Sequence, residues 1–173
     1  MTAVTPEPTQ PKRAPVDPKA LDARAIHAFL QAKRVALVGV SHEEKDFSRS
    51  LWTELRNRGV DVVPVNPKLD ALEGVEAFKD IAEVTPPVEA VYVATPANAS
   101  LAVMKGCVSA GVPVVWLHKG GGPGALDETA VAWGRVHGAQ VVAGQCLHMF
   151  LDHPSWVHRF HRGIKRILGD LPS

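Results

Sequence analysis

Cysteine is scarce in this sequence: Cys107 and Cys146 are its only examples. Two thiols are too few for a disulfide scaffold, and both lie in apolar or helical surroundings, as reduced intracellular thiols do. Net charge is nearly absent too, at a formal +1, so no global field recruits nucleic acid or anionic lipid. No apolar run is long enough to span a bilayer, and no signal peptide opens the chain. The expectation is a soluble cytoplasmic protein without nucleic-acid or membrane partners. What is present is apolar mass, 46% of 173 residues, which is enough for one domain with a real core.

Residues Met1 to Lys19 carry Pro6, Pro8, Pro11, Pro15 and Pro18. Proline at that density denies helix and ladder hydrogen bonds, so this stretch reads as a disordered tail. The domain then runs over residues 20–170. Leu21 to Ala32 suggests a short helix on the sheet edge. Continuous apolar runs follow at Val35–Val40, Val60–Val65, Ala90–Ala94, Val112–Leu117 and Gln140–Ala143. Unbroken rather than alternating runs mark strands buried on both faces. Helical spacing fills the gaps. One helix uses Phe47, Leu51, Trp52 and Leu55 and closes at Gly59; a second uses Leu101, Met104 and Val108 and closes at Gly111; a third spans Ala125 to Val136. Glycine suits the left-handed position just past a helix. Repeated strand–helix–strand connections predict an α/β fold: a single Rossmann-like, doubly wound domain with a mainly parallel sheet of five or six strands. A last amphipathic helix, Pro154 to Leu168, sets Trp156, Phe160, Ile164 and Ile167 opposite Arg159, Arg162, Lys165 and Arg166. Its plainest reading is a docked terminal helix with a solvated basic face.

In such sheets a ligand lies outside the carboxyl ends of the strands, where the strand order reverses. The first strand ends in Gly39-Val40-Ser41, with Ser48 at the start of the next helix. That turn lacks the compact G-x-G-x-x-G fingerprint, but glycine admits close backbone approach and the helix start offers donors to a diphosphate. The second strand ends in Asn66-Pro67-Lys68. A dinucleotide enzyme places Asp or Glu there for free ribose hydroxyls, whereas a cation suits a phosphorylated ribose. Thr95 and Pro96 end the third strand, and His118, Lys119 and Gly120 to Gly122 end the fourth.

The segments ALVGVS, VVPVNPK, AVYVATPA and PVVWLHKG closely resemble small stand-alone CoA-binding domain proteins, whose fold also forms part of the succinyl-CoA synthetase alpha subunit. The resemblance runs from about Ala32 to the C-terminus, and Val-Asn-Pro-Lys is its most specific element. It implies that coenzyme A or an acyl-CoA is the ligand. By position, Gly39, Val40, Ser41 and Ser48 would face the phosphates. Asn66, Pro67 and Lys68 would flank the phosphorylated ribose and adenine, Thr95 and Pro96 would line the same crevice, and Trp116 and Lys119 would lie nearer the pantetheine arm. The synthetase continues into a second domain with a phosphorylated histidine that no histidine here matches, so ligase activity is not carried over.

Other constellations carry less. Cys146, His148, His153, His158 and His161 match no zinc spacing. Cys146 reads as a small apolar cysteine, with a Cys–His nucleophile as the alternative. Cys107 reads as core. The leading expectation is therefore non-catalytic binding of CoA or acyl-CoA. The alternatives are an NADP-linked oxidoreductase or nucleotide-sensing domain, and an interaction subunit for a partner acyl-CoA ligase. The acyl group, the partner and the oligomeric state are not legible.

Overall fold

The computed structural model describes residues 18–119 and 124–151. The tail up to residue 17, the glycine run after Lys119, and the expected C-terminal helix with His153, His158 and His161 lie outside the described residues. Strands β1 (Arg34–Val38), β2 (Asp61–Val65), β5 (Ala90–Val93), β6 (Val114–His118) and β7 (Gln140–Gln145) form one five-stranded sheet. Its order is β2-β1-β5-β6-β7, with every neighbouring pair parallel. Helix α1 (Pro18–Gln31) precedes β1, and α2 (Phe47–Asn57), α3 (Ala97–Ser109) and α4 (Glu128–Val136) run between the strands. The expected doubly wound α/β fold is present.

Alternation along each strand splits the core in two. Val35, Leu37, Tyr92, Trp116 and Val142 meet α1 and α2 on one face. Ala36, Val38, Val91, Leu117 and Val141 meet α3 and α4 on the other. Burial on both faces explains the unbroken apolar runs. Each fully buried aliphatic or aromatic side chain stabilises the fold by about 1.5–3 kcal/mol. Helix α1 lies where the sequence suggests, at the β7 edge of the sheet, and covers the face of β6 and β7 there. Phe29 sits edge-on to Trp116, with ring centroids 5.1 Å apart, and to Tyr92 at 6.1 Å. The helix also begins at Pro18, within the expected tail; proline at the first helical position sacrifices no hydrogen bond.

Turns move several boundaries. β1 stops at Val38 because Gly39 takes φ +84°. α4 starts at Glu128, capped by Asp127, whose carboxylate accepts from Ala130 N–H at 2.6 Å. Ala125 is held in the preceding turn by the His118 carbonyl, 2.7 Å away.

One unit had no counterpart in the sequence reading. After β2 comes a hairpin of two-residue strands, β3 (Ala71–Leu72) and β4 (Val75–Glu76). Its central residues Glu73 and Gly74 have φ +49° and +81°, the left-handed pair that matches strand twist in a tight hairpin. Beyond it Phe78 bridges to Val65 in parallel, the only trace of a sixth strand among the described residues. Pro64 fits β2 because β2 is flanked by a full strand on one side only. Glu73 reaches back to α2, accepting from Trp52 Nε1 at 2.9 Å and from Arg49 and pairing with Arg56. The Trp52 hydrogen bond, with help from Arg49 and Arg56, holds the Glu73 carboxyl below its usual value against a smaller opposing effect of burial.

A group with a depressed folded pKa contributes stability above its unfolded pKa and loses it as pH falls through the folded one. Glu73→Gln should therefore lower stability at pH 7 by about 0.5–1 kcal/mol, a modest value because the group is part-exposed. The variant and the parent should converge as pH falls through the acidic carboxylate range. Urea melts at pH 7 and pH 3 measure both differences.

Candidate functional site

Strand order reverses at β1: β2 lies on one side and β5 on the other. Connections leaving the two flanks in opposite directions open a crevice above the carboxyl ends of β1 and β5. A cavity of about 580 Å³ occupies it, within the range that holds a cofactor-sized ligand. Val38, Val65, Ile81 and Ala94 supply apolar surface, and α3 contributes Ala99, Ala102, Val103 and Gly106. Those four residues recur at helical spacing, so a small-residue face of α3 forms the wall while Ser100, Met104 and Cys107 turn to the core.

Gly39 sets how near β1 and β5 approach. A Cβ there would stand 2.7 Å from Thr95 Cγ2 and 3.0 Å from Thr95 N. Its amide donates to the Val65 carbonyl at 2.9 Å. Asn66 ties the second strand end to the first. Its side-chain amide donates to the Val40 carbonyl at 2.8 Å, and its side-chain oxygen accepts from Lys68 N–H at 2.9 Å. This turn fixes the backbone at Lys68, an exposed residue that lines the cavity and makes no ion pair among the described residues. Thr95 Oγ1 is buried at the same crevice with no hydrogen-bond partner among the described residues. An orphaned hydroxyl costs about 1–3 kcal/mol, and a ligand oxygen offsets that cost.

Of the expected binding residues, Gly39, Asn66, Pro67, Lys68, Thr95 and Pro96 line this cavity. Val40, Ser41, Ser48, Trp116 and Lys119 do not. Val40 is fully buried in the core facing α1 and α2. Ser48 is 2% exposed; its hydroxyl accepts from Ser41 N–H at 2.9 Å and donates to the Asp46 carboxylate at 2.6 Å. Asp46 also accepts from Ser48 N–H at 2.8 Å and so caps α2 with a negative charge of its own. The amino end of α2 is therefore engaged internally, contrary to the expectation of free donors for a diphosphate. Helix α3 differs: its start at Pro96 has no side-chain cap hydrogen bond among the described residues. Trp116 is fully buried under α1 and donates to the Gln145 carbonyl at 2.9 Å, on the sheet face away from the cavity. Lys119 is exposed and follows β6, running past Gly144.

A second polar group lies on the α2 side of the strand ends. Tyr92 Oη is 2.6 Å from His118 Nδ1, and His118 stacks on Phe47 at 4.4 Å. His148 meets the same phenyl ring edge-on at 5.3 Å. Burial first, then neighbouring His148, lowers the His118 pKa against the pull of Asp46, so the imidazole is neutral at pH 7. Burial, and then Cys146, raises that of Tyr92, which stays a neutral phenol. Burial pushes the Cys107 thiol up to about 12, consistent with a core position. No three His, Cys, Asp or Glu side chains among the described residues group as metal ligands do. No described helix is long and apolar enough to cross a membrane.

Lys79, Asp80 and Ile81 also reach the cavity, from beyond the hairpin, and no strand end or helix start in the sequence marks them. The spacing Ala99, Ala102, Val103, Gly106 was the available signal for the α3 wall.

The family model described as CoA binding domain matches residues 33–152, and the chain belongs to that family. Uncharacterized protein YneT of Bacillus subtilis (strain 168) is 27% identical over 123 residues, spanning 70% of this chain and 88% of its own. The structure of a conserved hypothetical protein from Pyrococcus furiosus superposes with TM-score 0.61 at 28% identity, covering 66% of this chain and 96% of that one. In fold alone, the chain is also similar to a dinucleotide-forming acetyl-coenzyme A synthetase 1 from Ca. Korarchaeum cryptofilum. There the TM-score is 0.56 at 24% identity, over 63% of this chain and 25% of the synthetase.

Gly39→Ala should destabilise the protein by about 2 kcal/mol or more, since it combines a left-handed backbone with contact below van der Waals distance. Guanidinium melts give the value. A loss under about 0.5 kcal/mol, the scale of an ordinary surface change, would mean that β1 and β5 need not approach so closely.

Proposed function

We propose that this member of the CoA-binding domain family binds coenzyme A or an acyl-CoA reversibly, without covalent chemistry of its own. The observation that carries the reading is Lys68: a cation without an ion-pair partner among the described residues, held by the Asn66 turn at the rim of a cofactor-sized apolar cavity. The residues fit the ligand. The apolar α3 wall suits the face of an adenine, and Lys68 suits the 3′-phosphate on the ribose. The buried Thr95 hydroxyl and the uncapped start of α3 suit phosphate oxygens. On this reading the diphosphate meets α3 rather than the self-capped α2, and Ser41 and Ser48 act as positioning residues for the β1–α2 turn. The pantetheine arm and any acyl group extend along the carboxyl edge of the sheet.

The cation at the end of β2 also answers the 2′-phosphate of an NADP-type dinucleotide, so NADPH is the informative competitor.

Heat stabilisation by CoA should exceed that by dephospho-CoA and by NADPH, read as melting-temperature shifts at equal concentration. Lys68→Ala should weaken CoA by about 1–2 kcal/mol, as loss of a charge-assisted hydrogen bond does. Equal stabilisation by CoA and dephospho-CoA would remove Lys68 from this role, and a larger shift with NADPH would replace the CoA reading. Thr95→Val should weaken CoA about threefold or more while leaving the unliganded protein as stable as the parent or more so, because it deletes a buried hydroxyl that has no partner among the described residues. Unchanged CoA affinity in this variant would separate Thr95 from the ligand.

A further inference from the structure

Lys79 is a second cationic residue at the cavity. Phe78 is laid beside β2 by two hydrogen bonds, its N–H to the Pro64 carbonyl at 3.0 Å and its carbonyl from Asn66 N–H at 2.9 Å. That pairing delivers Lys79 to the carboxyl edge of the sheet, next to the turn that carries Lys68, and both residues line one cavity. The Lys79 ammonium donates to the Leu69 carbonyl and to the Asp70 carboxylate, each at 2.6 Å. Asp70 is 99% exposed. Its carboxyl pKa is lowered through the hydrogen bond to Lys79 and then its charge. Asp80, the neighbouring carboxylate, is turned toward α3: Oδ1 accepts from Ala82 N–H at 2.9 Å and lies 4.0 Å from where a Gly106 Cβ would stand. The wall thus sorts its charges, with the ammonium toward the Lys68 loop and the carboxylate toward the helix.

We infer that Lys79 and Lys68 together receive a phosphate monoester on the ligand's ribose, and that Asp70 is a surface counter-ion which this phosphate displaces. An ion pair between part-exposed lysine and fully exposed aspartate holds weakly, while a phosphate monoester carries nearly two negative charges and three strong acceptor oxygens. Exchange of Asp70 for phosphate leaves the ammonium hydrogen-bonded throughout, so the unliganded protein avoids two bare cations side by side. The ligand class is an adenine nucleotide phosphorylated on its ribose. That the phosphate is the 3′-group of CoA rests on the proposed function; the pairing of the two lysines does not.

The test is calorimetric titration of the full chain with CoA, dephospho-CoA, NADPH and NADH, using the parent, Lys79→Gln, Lys79→Arg and Asp70→Asn. In Lys79→Gln the preference for CoA over dephospho-CoA should fall about fivefold or more, with dephospho-CoA affinity unchanged. Lys79→Arg should keep the preference, and Asp70→Asn should bind CoA at least as tightly as the parent. An undiminished CoA preference in Lys79→Gln overturns the inference, as does weaker CoA binding in Asp70→Asn. If the parent prefers NADPH to NADH through Lys79 but ignores CoA, the role of Lys79 stands and the CoA reading falls. A parent that binds none of the four overturns both.

Discussion

Everything at the carboxyl edge of the sheet depends on the approach of Gly39 to Thr95. β1 is the strand at which the winding reverses, and its end must pass under the start of the β5–α3 connection. Only a residue without a Cβ, at φ +84°, lets the backbones meet there. Asn66 then spans from β2 to the Val40 carbonyl, so three strand ends are joined. The cavity is the space left above that junction, and Lys68 and Thr95 border it because the junction holds their backbones.

The two helices that begin near this junction have opposite electrostatic states. α2 carries its own anion in Asp46, with Ser48 and Ser41 completing an internal chain of hydrogen bonds. α3 begins at Pro96 without a side-chain cap, beside a hydroxyl that lacks a partner among the described residues. A helix start already neutralised gains little from an added anion, whereas an open one retains its attraction. The edge is divided accordingly. The α3 side has an apolar wall, cations and unused polar capacity, and the α2 side has a neutral His118–Tyr92 pair packed on Phe47.

The doubly wound sheet was legible because buried parallel strands leave continuous apolar runs, and the same runs placed Asn66-Pro67-Lys68 just past β2, where the three residues line the cavity. The role of Ser48 was not: a serine at a helix start reads identically whether its hydroxyl faces a ligand or, as here, satisfies Asp46 and Ser41. Trp116 sits two residues before the end of β6, and the sequence could not show that α1 would cover that face. The hairpin escaped notice because two-residue strands have no period to detect and Glu73 is an unusual left-handed residue. With it went Lys79, which reaches the cavity only through the pairing of Phe78 with β2.

The central claim is that the ligand occupies the α3 side of the junction. Backbone amide NMR during titration with CoA tests it directly. The account predicts the largest shifts at Gly39, from Asn66 to Lys68, from Thr95 to Ala99 and from Lys79 to Ile81. Shifts concentrated instead on Ser41 to Ser48 and His118, or none at saturating CoA, would contradict it.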